Sequence, residues 1–141
     1  MPSMAKDYFP EGFACRGIEP GGILHDCGLD VFDPKMRMLL NTARHMFGRP
    51  LIINSACRCY LHNASVGGAK RSAHLVGPDG FCHAVDIKVI SDITRGELQE
   101  ILQHLGIRRF EASNKHLHAD NAIWLPTPLL KAITFAVVPE G

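Results

Sequence analysis

The pattern of apolar and turn-forming residues predicts an α+β protein with a mainly antiparallel sheet. Two segments repeat apolar residues at helical spacing, one after Asp33 and one after Thr94. Short β-branched or apolar runs at 51–54, 84–90, 107–112 and 116–120 read as strands. The two kinds of element do not alternate strictly, which disfavours a series of βαβ units on a parallel sheet.

Each element has a local cause. Residues 1–30 contain "PEGFACRGIEPGGILHDCG" and read as an irregular arm packed on a core of residues 31–141, the whole being one domain. Asp33 can cap a helix and Pro34 suits its first turn, where a missing N–H costs nothing. Met36, Leu39, Leu40, Ala43, Met46 and Phe47 then form an apolar stripe, ended by Gly48-Arg49-Pro50. "LIIN" (51–54) reads as a buried strand, followed by a long loop with Gly67-Gly68 as its turn. "AVDIKVI" (84–90) is a strand. Thr94 and Glu97 make a capping box for a second helix with Leu98, Ile101, Leu102 and Leu105 on one face and Gly106 as its stop. "IRRFEA" and "HLHAD" are short strands, and the late run "AITFAVV" reads as another.

Composition narrows the function. The formal charge is +1, which offers no attraction to nucleic acid or to an anionic membrane. No apolar run approaches a membrane span, and the first residues lack the apolar core of an export signal, so synthesis in a cytoplasm is expected. Nothing points to an oligomer, and a monomer is the simplest expectation. The five cysteines, Cys15, Cys27, Cys57, Cys59 and Cys82, are then expected to be reduced. Cys57 and Cys59 form a C-x-C pair, a weak metal signal because structural zinc sites favour C-x2-C.

The chemistry concentrates in "SAHLVGPDGFCHAVDI" (72–87) and "KHLHAD" (115–120). On a strand, His116, His118 and Asp120 share one face. Asp86 lies near the start of another strand, and His74 lies in the loop before it. Zinc accepts imidazole nitrogen and carboxylate oxygen, and catalytic zinc sites commonly have three protein ligands and an open position. The remaining histidines, His25, His45, His62 and His104, lack paired ligands or sit inside helices. His83 stands at an odd offset from Asp86, which would place it on the opposite face of a continuous strand.

As a set these residues resemble the zinc D-alanyl-D-alanine peptidases, the VanX/VanY-like family that includes the hedgehog-type fold and phage cell-wall endopeptidases. Its S-x-H-x-x-G-x-A-x-D element resembles Ser72-Ala73-His74-Leu75-Val76-Gly77 followed by Ala84-Val85-Asp86, and its later H-x-H or H-x-D element resembles His116-Leu117-His118-Ala119-Asp120. The stretch "PLIINSACRCYLHNASVGG" resembles the family's strand, S-x-x-R turn, asparagine and Gly-Gly lead-in. The resemblance covers about residues 30–124. Two departures stand out. His74 and Asp86 are twelve positions apart, as though residues 78–82 ("PDGFC") were inserted, and Cys57 replaces an aromatic before the turn arginine.

The resemblance implies a hedgehog/DD-peptidase-like fold, with His74, Asp86 and His118 as Zn2+ ligands. Arg58 matches the turn arginine, where it would clamp a substrate carboxylate or steady an oxyanion. Ser72 would bind the substrate backbone or cap the loop. For the general base the resemblance points to Glu111, although in an unbroken strand its seven-position offset from His118 would turn it to the wrong face unless "ASNK" supplies a turn or bulge. His116 is the next candidate, and Asp120 would orient a ligand histidine. The implied function is a zinc peptidase of peptidoglycan stem or cross-link peptides, a carboxypeptidase or endopeptidase that reaches the wall as a phage or prophage product. The alternatives are a non-catalytic module that keeps zinc for structure, and a cysteine hydrolase using Cys57, Cys59 or Cys82.

Overall fold

The computed structural model describes residues 6–15, 30–68, 72–113 and 115–125. The late run 132–138, His25 and Cys27 lie outside the described residues. Seven elements occur in the order α1 (Pro34–Phe47), β1 (Ile53–Ser55), α2 (Tyr60–Ser65), β2 (Ala84–Lys88), α3 (Asp92–His104), β3 (Arg109–Ala112) and β4 (His116–Asp120). The strands form one antiparallel sheet in the order β1-β2-β4-β3. The α+β architecture with an antiparallel sheet is therefore the one observed.

The two sheet faces differ in chemistry because strand side chains alternate. Val85 and Ile87 of β2, Phe110 of β3, and Leu117 and Ala119 of β4 point to one side and join Met36, Leu40, Leu98 and Leu102 of α1 and α3 in the buried core. The alternate residues, Asp86, Glu111, His116, His118 and Asp120, therefore belong to the opposite face. β1 keeps both faces correct through an irregularity: Ile53 pairs with Ile87 of the core, whereas Ser55, two residues on, pairs with Asp86. The register shift between them lets one short strand serve both sides.

Local signals explain the helix ends. Asp33 accepts from the Met36 N–H at 3.2 Å, and Gly48 adopts a left-handed φ of 73° at the far end of α1. The expected stripe holds for Met36, Leu40 and Ala43, with Leu39 and Phe47 packed against the core, but Met46 is exposed. α3 begins three residues earlier than the capping box implied: Ser91, not Thr94, is the cap, accepting from the Thr94 N–H at 3.1 Å.

Three further expectations are corrected. The segment read as loop after 54 contains α2, capped by the Cys59 sulfur. Strand β1 is centred later than "LIIN". Cys57 and Cys82 are not reduced but joined by a disulfide, their Cα atoms 5.7 Å apart, because the turn after β1 and the segment entering β2 lie side by side. Cys15 and Cys59 are not disulfide-bonded, though their sulfurs lie 3.8 Å apart.

The arm contributes to the core as well as lying on it. Phe13 is buried and stacks on Phe32 with ring centroids 4.1 Å apart. Its carbonyl accepts from the Cys57 N–H at 3.1 Å, which ties the arm to the turn that carries Arg58.

Candidate metal centre

On the open face, β2 and β4 place Asp86 directly opposite His118, and β3 places Glu111 opposite His118 on the other side. With Ser55 opposite Asp86, a row of polar side chains runs across all four strands: Ser55, Asp86, His118, Glu111. Directly opposed residues of antiparallel strands share a face. Glu111 is thus turned to the same side as His118, because the chain reverses between β3 and β4 instead of continuing as one strand.

His74 reaches this row from the preceding loop. Its Nδ1 lies 2.6 Å from the Ala56 carbonyl oxygen, which can only accept, so Nδ1 carries the proton and Nε2 is the basic nitrogen. That Nε2 points at Asp86, 3.3 Å from Oδ2, and is buried without hydrogen-bond geometry to any protein group. Asp86 Oδ1 lies 2.9 Å from His118 Nδ1 and 3.7 Å from His116 Nε2. One ligand atom each from His74, Asp86 and His118 fall within 4.8 Å of one another, the only such group of three among the described residues. Two imidazoles, one carboxylate and an orphaned buried nitrogen aimed at their midst fit a divalent cation of the zinc type.

The surrounding groups fix these side chains. Asp120 is fully buried. Its carboxylate accepts from His118 Nε2 at 2.6 Å, from Arg109 Nη1 at 3.0 Å and from the Ala122 N–H at 3.0 Å. The Arg109 partner was not foreseen; its position directly opposite Asp120 across the β3–β4 hairpin is the signal that would have found it. Arg58 donates to Ser55 at 3.2 Å, to Asn63 at 3.1 Å and to Asp86 at 3.4 Å. Three of its five donors are engaged by the protein, so Arg58 first of all holds the Asp86 carboxylate. Gly68 permits this packing, since a Cβ there would stand 2.1 Å from Asn63 Oδ1. Ser72 Oγ accepts from the His74 N–H at 3.1 Å, capping the loop.

The electrostatics follow from burial and these contacts. Burial alone would raise the Asp86 carboxyl, but the hydrogen bond from His118 and the adjacent His74 imidazole outweigh it and hold the group far below the usual carboxylate range. Burial lowers the His74 imidazole, and Asp86 only partly offsets this. For His118, burial is overcome by Asp120 and Asp86, and its pKa is pushed up to about 9. Without a cation both His118 nitrogens therefore donate to carboxylates.

His83 stays out of this cluster. Its Nε2 lies 2.6 Å from Asp79 and its Nδ1 lies 3.4 Å from Asp33. No helix among the described residues is long and apolar enough to cross a membrane. A family model described as Peptidase M15 matches residues 10–120. No curated protein matches the chain.

Proposed function

The chain belongs to the peptidase M15 family, and from that premise we propose that it is a zinc-dependent peptidase of peptidoglycan stem or cross-link peptides. The observation that supports this most directly is the convergence of His74, Asp86 and His118 on the open sheet face. In this reading those three residues hold the ion. Zinc supplies Lewis acidity toward a water molecule and toward the peptide carbonyl.

The chain's own residues do the rest. The Ala56 carbonyl and the Asp120 carboxylate fix the two imidazoles, so that His74 Nε2 and His118 Nδ1 face the ion. Glu111, beyond His118 in the same row, takes the proton of the attacking water and returns it to the leaving amine. His116, two residues before His118 on the same face, is the alternative for proton transfer. The free donors of Arg58 face developing negative charge on the substrate. A cysteine nucleophile is not supported: Cys57 and Cys82 are bonded to each other, and Cys59 caps α2. In the same reading the protein acts on the wall as a phage or prophage product, whether released at lysis or carried on a virion.

The test is digestion of a defined muropeptide by the zinc-loaded protein, with products identified by mass. Glu111→Gln is expected to lower turnover by about 100-fold or more while zinc stays bound. If His116→Ala has that effect and Glu111→Gln has none, the proton carrier is His116. Bound zinc with no cleavage by the wild-type chain would instead indicate a non-catalytic module.

A further inference from the structure

Two thiols meet next to the turn that carries Arg58. The Cys15 thiol donates to the Cys59 sulfur at 3.8 Å, across 44 positions of sequence. Both residues are half-buried and neither is sealed in the core.

The meeting follows from how the arm runs. Gly12 takes a left-handed φ of 79°, and the next residue, Phe13, donates its N–H to Asp30 at 3.3 Å. The Phe13 ring is buried, and its carbonyl accepts from the Cys57 N–H at 3.1 Å. Cys15 and Cys59 each stand two residues further along, so the two segments run side by side in one direction. Cys59 is placed as the cap of α2, its sulfur accepting from the His62 N–H at 3.3 Å. Arg58 lies between the two cysteine pairs. Cys57 before it is bonded to Cys82, and Cys59 after it faces Cys15. The guanidinium reaches Asp86 at 3.4 Å, and Cys15 is near enough for a charge on its sulfur to act on that guanidinium. Conditions that keep the first pair bonded also favour oxidation of the second.

We propose that Cys15 and Cys59 are a redox-active pair that closes to a second disulfide by exchange with a small-molecule disulfide, fastening the arm to the Arg58 turn. Reaching a bonded separation of about 2.0 Å asks each sulfur to move by about 0.9 Å. One protein thiolate attacks the small disulfide and expels one of its halves as a thiolate; the other protein thiolate then displaces the second half. The protein gains one S–S bond and the oxidant loses one. The two protons leave the protein thiols and end on the two released thiols. The new bond closes the chain between 15 and 59 and so restricts the unfolded state.

Trypsin cuts after Arg16, Lys35, Arg58 and Lys70, which puts Cys15, Cys27, Cys57 and Cys59 in separate peptides. The test is to incubate the full chain with oxidised glutathione, alkylate it and map its peptides by mass without reduction. The Cys15 peptide is expected to appear joined to the Cys59 peptide, and the melting temperature to rise by about 5–10 °C. Cys15→Ser and Cys59→Ser are each expected to lose that rise and to keep the Cys57–Cys82 bond. Glutathione left on Cys15 or Cys59 without a bridge overturns the proposal, as does a bridge from either to Cys27. A Cys15–Cys59 bridge with an unchanged melting temperature overturns it too, since the arm is then not fastened. So does a second equivalent of zinc that the wild-type chain binds and Cys15→Ser loses, which would make the pair a metal site. The bridge is mapped in the wild-type chain, so the test decides even where a variant fails to fold. No readout requires peptide hydrolysis, so this inference and the peptidase reading fail separately.

Discussion

Asp120 determines what His118 can do. Both imidazole nitrogens face carboxylates, and only the one turned to Asp86 also faces His74. Asp120→Asn would leave Arg109 buried without its anion and remove the charge behind His118. Zinc affinity, measured by competition with a chromophoric chelator, is expected to fall by about 10–100-fold. The raised His118 pKa has a sign that can be checked. A group whose folded pKa lies above its unfolded value adds stability that is fully present below the unfolded pKa and is lost on passing the folded one. The metal-free protein should therefore lose melting temperature between pH 6.5 and about 9. A flat profile over that window would contradict the Asp86–His118–Asp120 contacts. The grouping of His74, Asp86 and His118 was legible through the resemblance of their motifs, and strand alternation added only that His116, His118 and Asp120 share a face. Arg109 was not, because its role depends on hairpin register, which one strand read alone does not contain.

Among the elements, β4 was readable to the residue: "HLHAD" alternates cleanly, and its apolar members Leu117 and Ala119 are buried, with Asp120 at its end buried as well. The helix α2 was not. It has six residues, and Tyr60 and Leu61 are exposed, so it presents no apolar stripe for periodicity to detect. Glu111 illustrates a subtler limit. Counting along the chain placed it on the wrong face, whereas the reversal between β3 and β4 starts the alternation afresh and returns it to the row. The caps matter energetically as well as descriptively. Asp33→Ala removes the acceptor for the Met36 N–H and a carboxylate beside His83, and is expected to cost about 1 kcal/mol or somewhat more in chemical denaturation.

For the whole molecule, core and metal centre occupy opposite sides of one sheet, so they should respond separately to metal removal. Chelation is expected to abolish peptide cleavage and lower the melting temperature, as loss of any ligand specific to the native state does. Far-UV circular dichroism at room temperature should be unchanged, since α1, α3 and the apolar sheet face form a core of their own on the other side of the sheet. Collapse of the helical signal on chelation would show that the ion is structural. The disulfide shows why the cysteine state was misread. A reducing compartment was inferred from the start of the sequence, but pairing depends on which thiols meet, and Cys57 and Cys82 meet across 25 positions.

The row Ser55–Asp86–His118–Glu111 crosses every strand, one residue from each. Slipping any of these strands by a single residue would carry its member of the row to the helical side. Cation stoichiometry in a refolded sample therefore measures the fraction of molecules with correctly aligned hairpins. Mispaired chains that look native by secondary-structure content would be counted by the equivalents they fail to bind.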